Sequence, residues 1–291
     1  MSVSRLRSTP VPPDTCAMLI EALEVRQQNF VRQLSRVRRR PSEPGVHDLR
    51  VATRRLIAVM DLMSEITEIP LLQKKRRVLR RLLKGLNALR DAHICSMALG
   101  RLRAAFPSAG MVQRSIRVQE RDLLRSVGRN LRLFDVRGLR GAITEAENLF
   151  LAIGINSALA SAHRAVLMGA LASAYARVVR RLQSLQNTDP STVHRLRVAF
   201  KQYRYSLEIL APLLPWMNAT TRSRLDAYQT AMGKIQDIVV VLRGMVAYES
   251  RRPVTGRMAL IEVRQYLLRR TEELMKEFRA NADDAYRFWK F

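Results

Sequence analysis

A chain of 291 residues with 51 Lys and Arg against 25 Asp and Glu has a formal net charge of +26, and 47% of it is apolar. That apolar share suffices for a packed core and excludes compositional disorder for the bulk of the chain, while only 12 Gly and 11 Pro argue against an all-β or collagen-like class. Cys16 and Cys95 form neither a disulfide framework nor a zinc motif, no apolar run of about 18 residues is present to cross a membrane, and the excess charge points to an anionic partner.

The opening MSVSRLRSTPVPP has basic residues with no apolar segment behind them, so 1–13 reads as a flexible tail rather than a secretory signal. Apolar residues then recur at spacings of three and four, which predicts helices at about 14–39, 45–64 and 71–92, the third extending towards 104. Pro41 to Pro44 separates the first two and Pro70 opens the third. After Pro107 to Gly110 comes a helix at about 111–133; Gly138 and Gly141 predict a break before a short helix ending near Phe150. Gly154 to Ser157 divides the chain into halves, 14–153 and 154–291. The second half predicts helices at about 158–186, 190–210, 218–248 and 254–280, with Asp189 as an N-cap and Pro190 at the first helical position. A tail carrying Tyr286, Phe288, Trp289 and Phe291 is expected to dock on the body.

An internal repeat sets the architecture. The segment Val46-His47-Asp48-Leu49-Arg50-Val51-Ala52 returns as Val193-His194-Arg195-Leu196-Arg197-Val198-Ala199, identical but for one position. The match continues by type, Arg54 with Lys201 and Asp61 with Glu208, and Arg90-Asp91 returns as Gln236-Asp237 at nearly the same offset. The expectation is an all-α chain of two pseudo-symmetric halves from an internal duplication, each a bundle of about four helices.

On a wheel of about 100° per residue, His47, Arg50, Arg54 and Asp61 fall within about 60°, and His194, Arg197, Lys201, Arg204 and Glu208 within about 80°. The apolar residues Leu49, Leu56, Met60 and Met63, and Leu196, Tyr203, Leu207 and Leu210, lie opposite. A lone histidine is more often structural than functional, but these two share a face with cations, not leucines. Both also sit in the first turns of their helices, where free backbone N–H groups and the positive dipole end favour an anion. Arginine suits phosphate oxygens through its planar, two-pronged donor set. Other basic rows are Lys74, Arg77, Arg81, Lys84 and Arg90 on the third helix and Arg114, Arg117, Arg121, Arg125 and Arg132 on the fourth; a solvated face is the plain alternative for the latter.

These segments carry a family likeness. VHDLRVATRRL and VHRLRVAFKQYRYSLEIL, followed by LNALRDAHI and MGKIQD, resemble the paired signatures of the conserved histidine α-helical domain, CHAD, over about residues 14–280. The resemblance implies two helical bundles enclosing a basic groove or pore, binding of inorganic polyphosphate without catalysis, and phosphate contacts from His47, Arg50, Arg54, Arg55, His194, Arg197, Lys201 and Arg204, with Lys84 and Arg90 as additions. Ile57 stands where the family signature continues with arginine, opposite Arg204, which removes one expected contact. His93 stands where the family commonly has an acid after Arg-Asp, as a further phosphate partner or a packing residue.

Two other classes compete. Charge alone equally suits nucleic acid, although aromatics are only 6% and few interleave the basic stripes for base stacking. A metal-dependent phosphohydrolase would need converging carboxylates and histidines, whereas Asp91 and Asp237 are single acids far apart in sequence; no Gly-rich phosphate loop or nucleophile elbow is present. The expectation is therefore a cytoplasmic polyphosphate binder, associated with polyphosphate granules, with no metal or cofactor. Its affinity should fall steeply with salt and rise as pH falls towards the histidine range near 6.5.

Overall fold

A computed structural model describes residues 14–156, 159–186, 188–250 and 258–290. The tail expected at 1–13, Ser157, Asn187, the start of the last helix near 254 and Phe291 lie outside the described residues. Nine α-helices are described: α1 Thr15–Arg39, α2 Glu43–Ile66, α3 Pro70–Leu102, α4 Ala109–Arg132, α5 Val136–Gly154, α6 Ala160–Gln183, α7 Pro190–Leu210, α8 Ala219–Glu249 and α9 Ile261–Ala280. A short 3₁₀ turn, Ala211–Leu213, follows α7, and another, Ala282–Phe288, follows α9. Among the described residues there is no strand.

Local chemistry explains where these helices begin. Side chains of Asp14, Ser42, Asp135, Asp189 and Asn218 each accept from a backbone N–H of the first turn, at 2.9, 3.2, 2.8, 2.8 and 2.9 Å, satisfying donors that have no intrahelical partner. Pro44, Pro70 and Pro190 sit in first turns, where proline loses no hydrogen bond. The break expected at Gly138 and Gly141 does not occur. α5 runs through both, because Asp135 caps the helix one residue ahead of it and the apolar face Leu139, Ala142, Ile143, Ala146 and Phe150 is buried, mostly in the main core with α1. Burial of that face outweighs the helix cost of glycine, about 1 kcal/mol each. A Cβ at Gly138 would displace the Asp135 carboxylate and the Lys75 ammonium from their pair.

One apolar cluster joins residues of all nine described α-helices, α4 through Val127 and Leu131, with the C-terminal turn. Across the midpoint of the chain, α2 packs on α6 and α7, and α3 packs on α8. A second cluster closes the far ends of α3 and α8 with α4 and α9: Cys95, Leu99, Val112, Ile116, Val241, Met245 and Val263 are all buried there. Gly244 permits that crossing, because a Cβ on it would meet Cys95 Sγ at 2.7 Å. Of the aromatic tail, Phe288 and Trp289 dock on the body as expected, while Tyr286 is exposed. Trp289 stacks on Tyr175 with centroids 4.9 Å apart, Phe288 packs edge-on against Phe200 and Tyr228, and Tyr203 and Tyr228 donate to the carbonyls of Phe288 and Ala282.

Candidate anion-binding site

The two His-Arg stripes lie on α2 and α7, whose N-termini are set by the Ser42 and Asp189 caps. Because α2 packs on α7 and α3 on α8, the stripes converge on each other and on the Asp motifs of the neighbouring helices. Arg50 Nε and Arg54 Nη2, from α2, donate to one acceptor, Asn87 Oδ1 on α3, at 3.0 and 3.1 Å. The shared amide holds two guanidinium groups close together without neutralising either.

Arg197 on α7 packs towards Gly233 of α8; a Cβ there would lie 3.8 Å from Arg197 Nη2. Its Nε is buried and donates to nothing among the described residues. Gly233 occupies the place on α8 that Asn87 has on α3, so the second half leaves its arginine without the amide partner.

The electrostatics record how close the stripes come. Burial lowers the Lys201 ammonium from its ordinary 10.5 to about 6, helped by Arg197, Arg54 and Arg50 and opposed by Asp237. Burial lowers Arg50 to about 10, with Arg54, Arg90 and Arg197 adding to the effect. Arg197 is lowered by burial and then by Arg54. Groups from α2 and α7 thus repel one another directly, as only near neighbours in a poorly solvated place do.

The histidines stand at one end of this cluster. The His47 ring remains solvent-exposed, yet lost hydration, followed by Arg90, Arg50 and Lys201, lowers its pKa, against a smaller opposing pull from Asp48. Arg90, beside it, also donates to Glu43. His194 is held differently, its Nδ1 lying 2.6 Å from Gln236 Oε1. The repeat thus places Arg90 beside one histidine and neutral Gln236 beside the other.

Asp91 and Asp237, far apart in sequence, come within electrostatic reach of each other through the α3–α8 contact. Burial raises both, while Arg50 and Arg243 pull Asp91 down and Arg197 and Arg90 pull Asp237 down. Each therefore faces arginines of the stripes. Among the described residues, no group of three or more His, Cys, Asp or Glu is placed to hold a metal ion.

Other expected contacts are placed elsewhere. Lys84 is exposed, one turn before Asn87 on α3. Arg55 and Arg204 converge on Glu208, at 3.1 Å each, and Arg204 also pairs with Asp226 at 2.6 Å. Ile57 is buried in the apolar core, so the position opposite Arg204 faces packing, not ligand. His93 is a buried packing residue whose Nε2 lies 3.1 Å from Glu120 Oε1. The arginines Arg114, Arg117, Arg121, Arg125 and Arg132 are exposed on α4, and Arg125 pairs with Asp122. Sequence reasoning missed Asn87, Gly233 and Gln236. The offset of the Asp91–Asp237 match carried the signal, since it aligns Asn87 with Gly233 and Arg90 with Gln236.

The CHAD domain family matches residues 21–244. The chain belongs to the CHAD domain family. Solved structures share the fold. A crystal structure of the CHAD domain from the plant Ricinus communis is similar with a TM-score of 0.70, at 19% identity, over 97% of each chain. PptA from Streptomyces chartreusis is similar with a TM-score of 0.52, at 16% identity, over 94% of this chain and 97% of that one. No curated protein matches this CHAD chain by sequence. No helix among the described residues is long and apolar enough to cross a membrane.

Proposed function

We propose that this CHAD chain binds inorganic polyphosphate, without turning it over, through His47, Arg50, Arg54, Arg90, His194, Arg197 and Lys201, with Lys84 at the approach. The observation that carries this reading is the concentration of like charge where α2 meets α7. Burial, with Arg197, Arg54 and Arg50 adding to it, lowers Lys201 to about 6, and no salt bridge to any of these four cations is found among the described residues. Bringing cations together in a partly buried place costs free energy, and a bound anion offsets it. The buried, unpartnered Arg197 Nε is a donor left for that anion.

A chain of phosphates fits better than a single one. From His47 to Arg54, and from His194 to Lys201, each stripe rises about 10 Å along its helix, more than one phosphate spans. The resemblance of the signatures to a polyphosphate-associated family supports the same ligand, and through it association with polyphosphate granules.

The test is a titration of labelled long-chain polyphosphate and of DNA of equal charge at one ionic strength. The expected result is tighter binding of polyphosphate, and a loss of at least about tenfold in each paired variant, H47A/H194A and R50A/R197A, since charge-assisted hydrogen bonds contribute about 1.5–3 kcal/mol each. Equal affinity for DNA, or unchanged affinity in both variants, overturns the proposal. Turnover of polyphosphate with Mg²⁺ or Mn²⁺ overturns its non-catalytic part.

A further inference from the structure

Beyond Lys201, the α7 stripe continues to Arg204 and then to Glu208, one turn apart. Glu208 is partly buried, with 20% of its side chain exposed, and it divides its two oxygens between two guanidinium groups. Oε2 accepts from Arg55 of α2 and Oε1 from Arg204 of α7, both at 3.1 Å. Arg26 of α1 also feels this carboxylate. A phosphate bridging the same helices would offer two oxygens to the same two donors. The first half ends alike. Asp61, which matches Glu208 in the repeat, holds Arg76 and has Arg80 Nη2 at 3.6 Å. Ile57, at the position matching Arg204, is buried in the core.

We propose that Glu208 is an internal anion that ends the polyphosphate track: it occupies the next phosphate position along α7 and withdraws Arg55 and Arg204 from the ligand. Asp61 ends the α2 stripe in the same way. The inference rests on the polyphosphate reading and adds a selectivity device to it. The bound length of chain is set by where the carboxylates stand, not by where the arginines stop. Arg55 and Arg204, alike in sequence to phosphate-contacting positions, are positioning partners of Glu208.

The test compares R55Q, R204Q, E208Q and R197A in titrations with long-chain polyphosphate over a range of salt. R55Q and R204Q are expected to keep affinity within about twofold and to leave the salt slope unchanged, because Glu208 and Asp226 together already neutralise both charges. E208Q removes one negative charge and frees Arg55, while Arg204 keeps Asp226, so affinity should rise severalfold and the slope should steepen by about one counterion. R197A reports on the underlying reading and should weaken binding. If R197A binds as the native chain does, the polyphosphate reading falls and this inference with it. If R197A weakens binding and R55Q or R204Q weakens it about tenfold with a shallower slope, the internal anion alone is overturned. A folded E208Q with no gain in affinity overturns it as well. Should E208Q fail to fold, R55Q and R204Q still decide, since each leaves Glu208 one guanidinium partner.

Discussion

Lys201 makes the site a proton-coupled one. Burial, then Arg197, Arg54 and Arg50, hold its ammonium at about 6 in the ligand-free chain, so at pH 8 about one molecule in a hundred carries the charge. Phosphate oxygens beside it favour the charged form and return it towards its ordinary range near 10.5. Binding at pH 8 should therefore take up about one proton per site, and affinity should increase up to about tenfold for each unit that pH falls between 9 and 6. The same displacement has the opposite sign for stability of the free protein. The unfolded chain keeps the Lys201 proton that the folded chain has released, so stability rises with pH between about 6 and 10.5. The assay is calorimetric titration of long-chain polyphosphate at pH 8 in buffers of differing ionisation enthalpy, where the slope of observed heat against that enthalpy counts protons. Long chains keep terminal phosphates few, and pH 8 keeps His47, whose pKa is lowered, from contributing. Lys201→Arg supplies a charge that does not titrate and should bind with a slope near zero. Heats independent of buffer in the native chain, or the same slope in K201R, would refute the reasoning.

Other outcomes follow from packing. Burial pushes the Cys95 thiol up to about 12, so iodoacetamide should leave it unmodified in the native protein at pH 8 and label it only on unfolding, as peptide mass analysis can read. Gly244→Ala forces a Cβ onto Cys95 Sγ and should cost about 1–3 kcal/mol by overpacking. Adding Cys95→Ala removes the obstacle, so the two substitutions should be non-additive by at least about 0.5 kcal/mol in urea unfolding. Tyr203→Phe strands the buried Phe288 carbonyl and should lower stability by about 1–3 kcal/mol, detectable in the same unfolding curves.

The stripes were legible in the sequence because their period is that of one helix: His47, Arg50 and Arg54 share a face whatever α2 packs against. Helix starts were legible for the same local reason, a side chain capping its own first turn at Asp189 or Ser42. Local rules misread Gly138 and Gly141, where burial of Phe150 and Ile143 against other helices decides the outcome. They also left Arg55 and Arg204 indistinguishable from Arg54 and Lys201, because the carboxylate that separates them comes from another helix for Arg55 and from the next turn for Arg204.

The sequence by itself determined the helices, the paired basic faces and the excess of +26, since these depend on residue type and on spacings within one helix. Only the tertiary structure decided which cations meet. Packing α2 on α7 and α3 on α8 brings Arg50, Arg54, Arg197 and Lys201 into mutual repulsion and gives Arg55 to Glu208. Coulomb energy depends on distance and hydration, and both are fixed by contacts between residues about 150 positions apart, which no local pattern encodes.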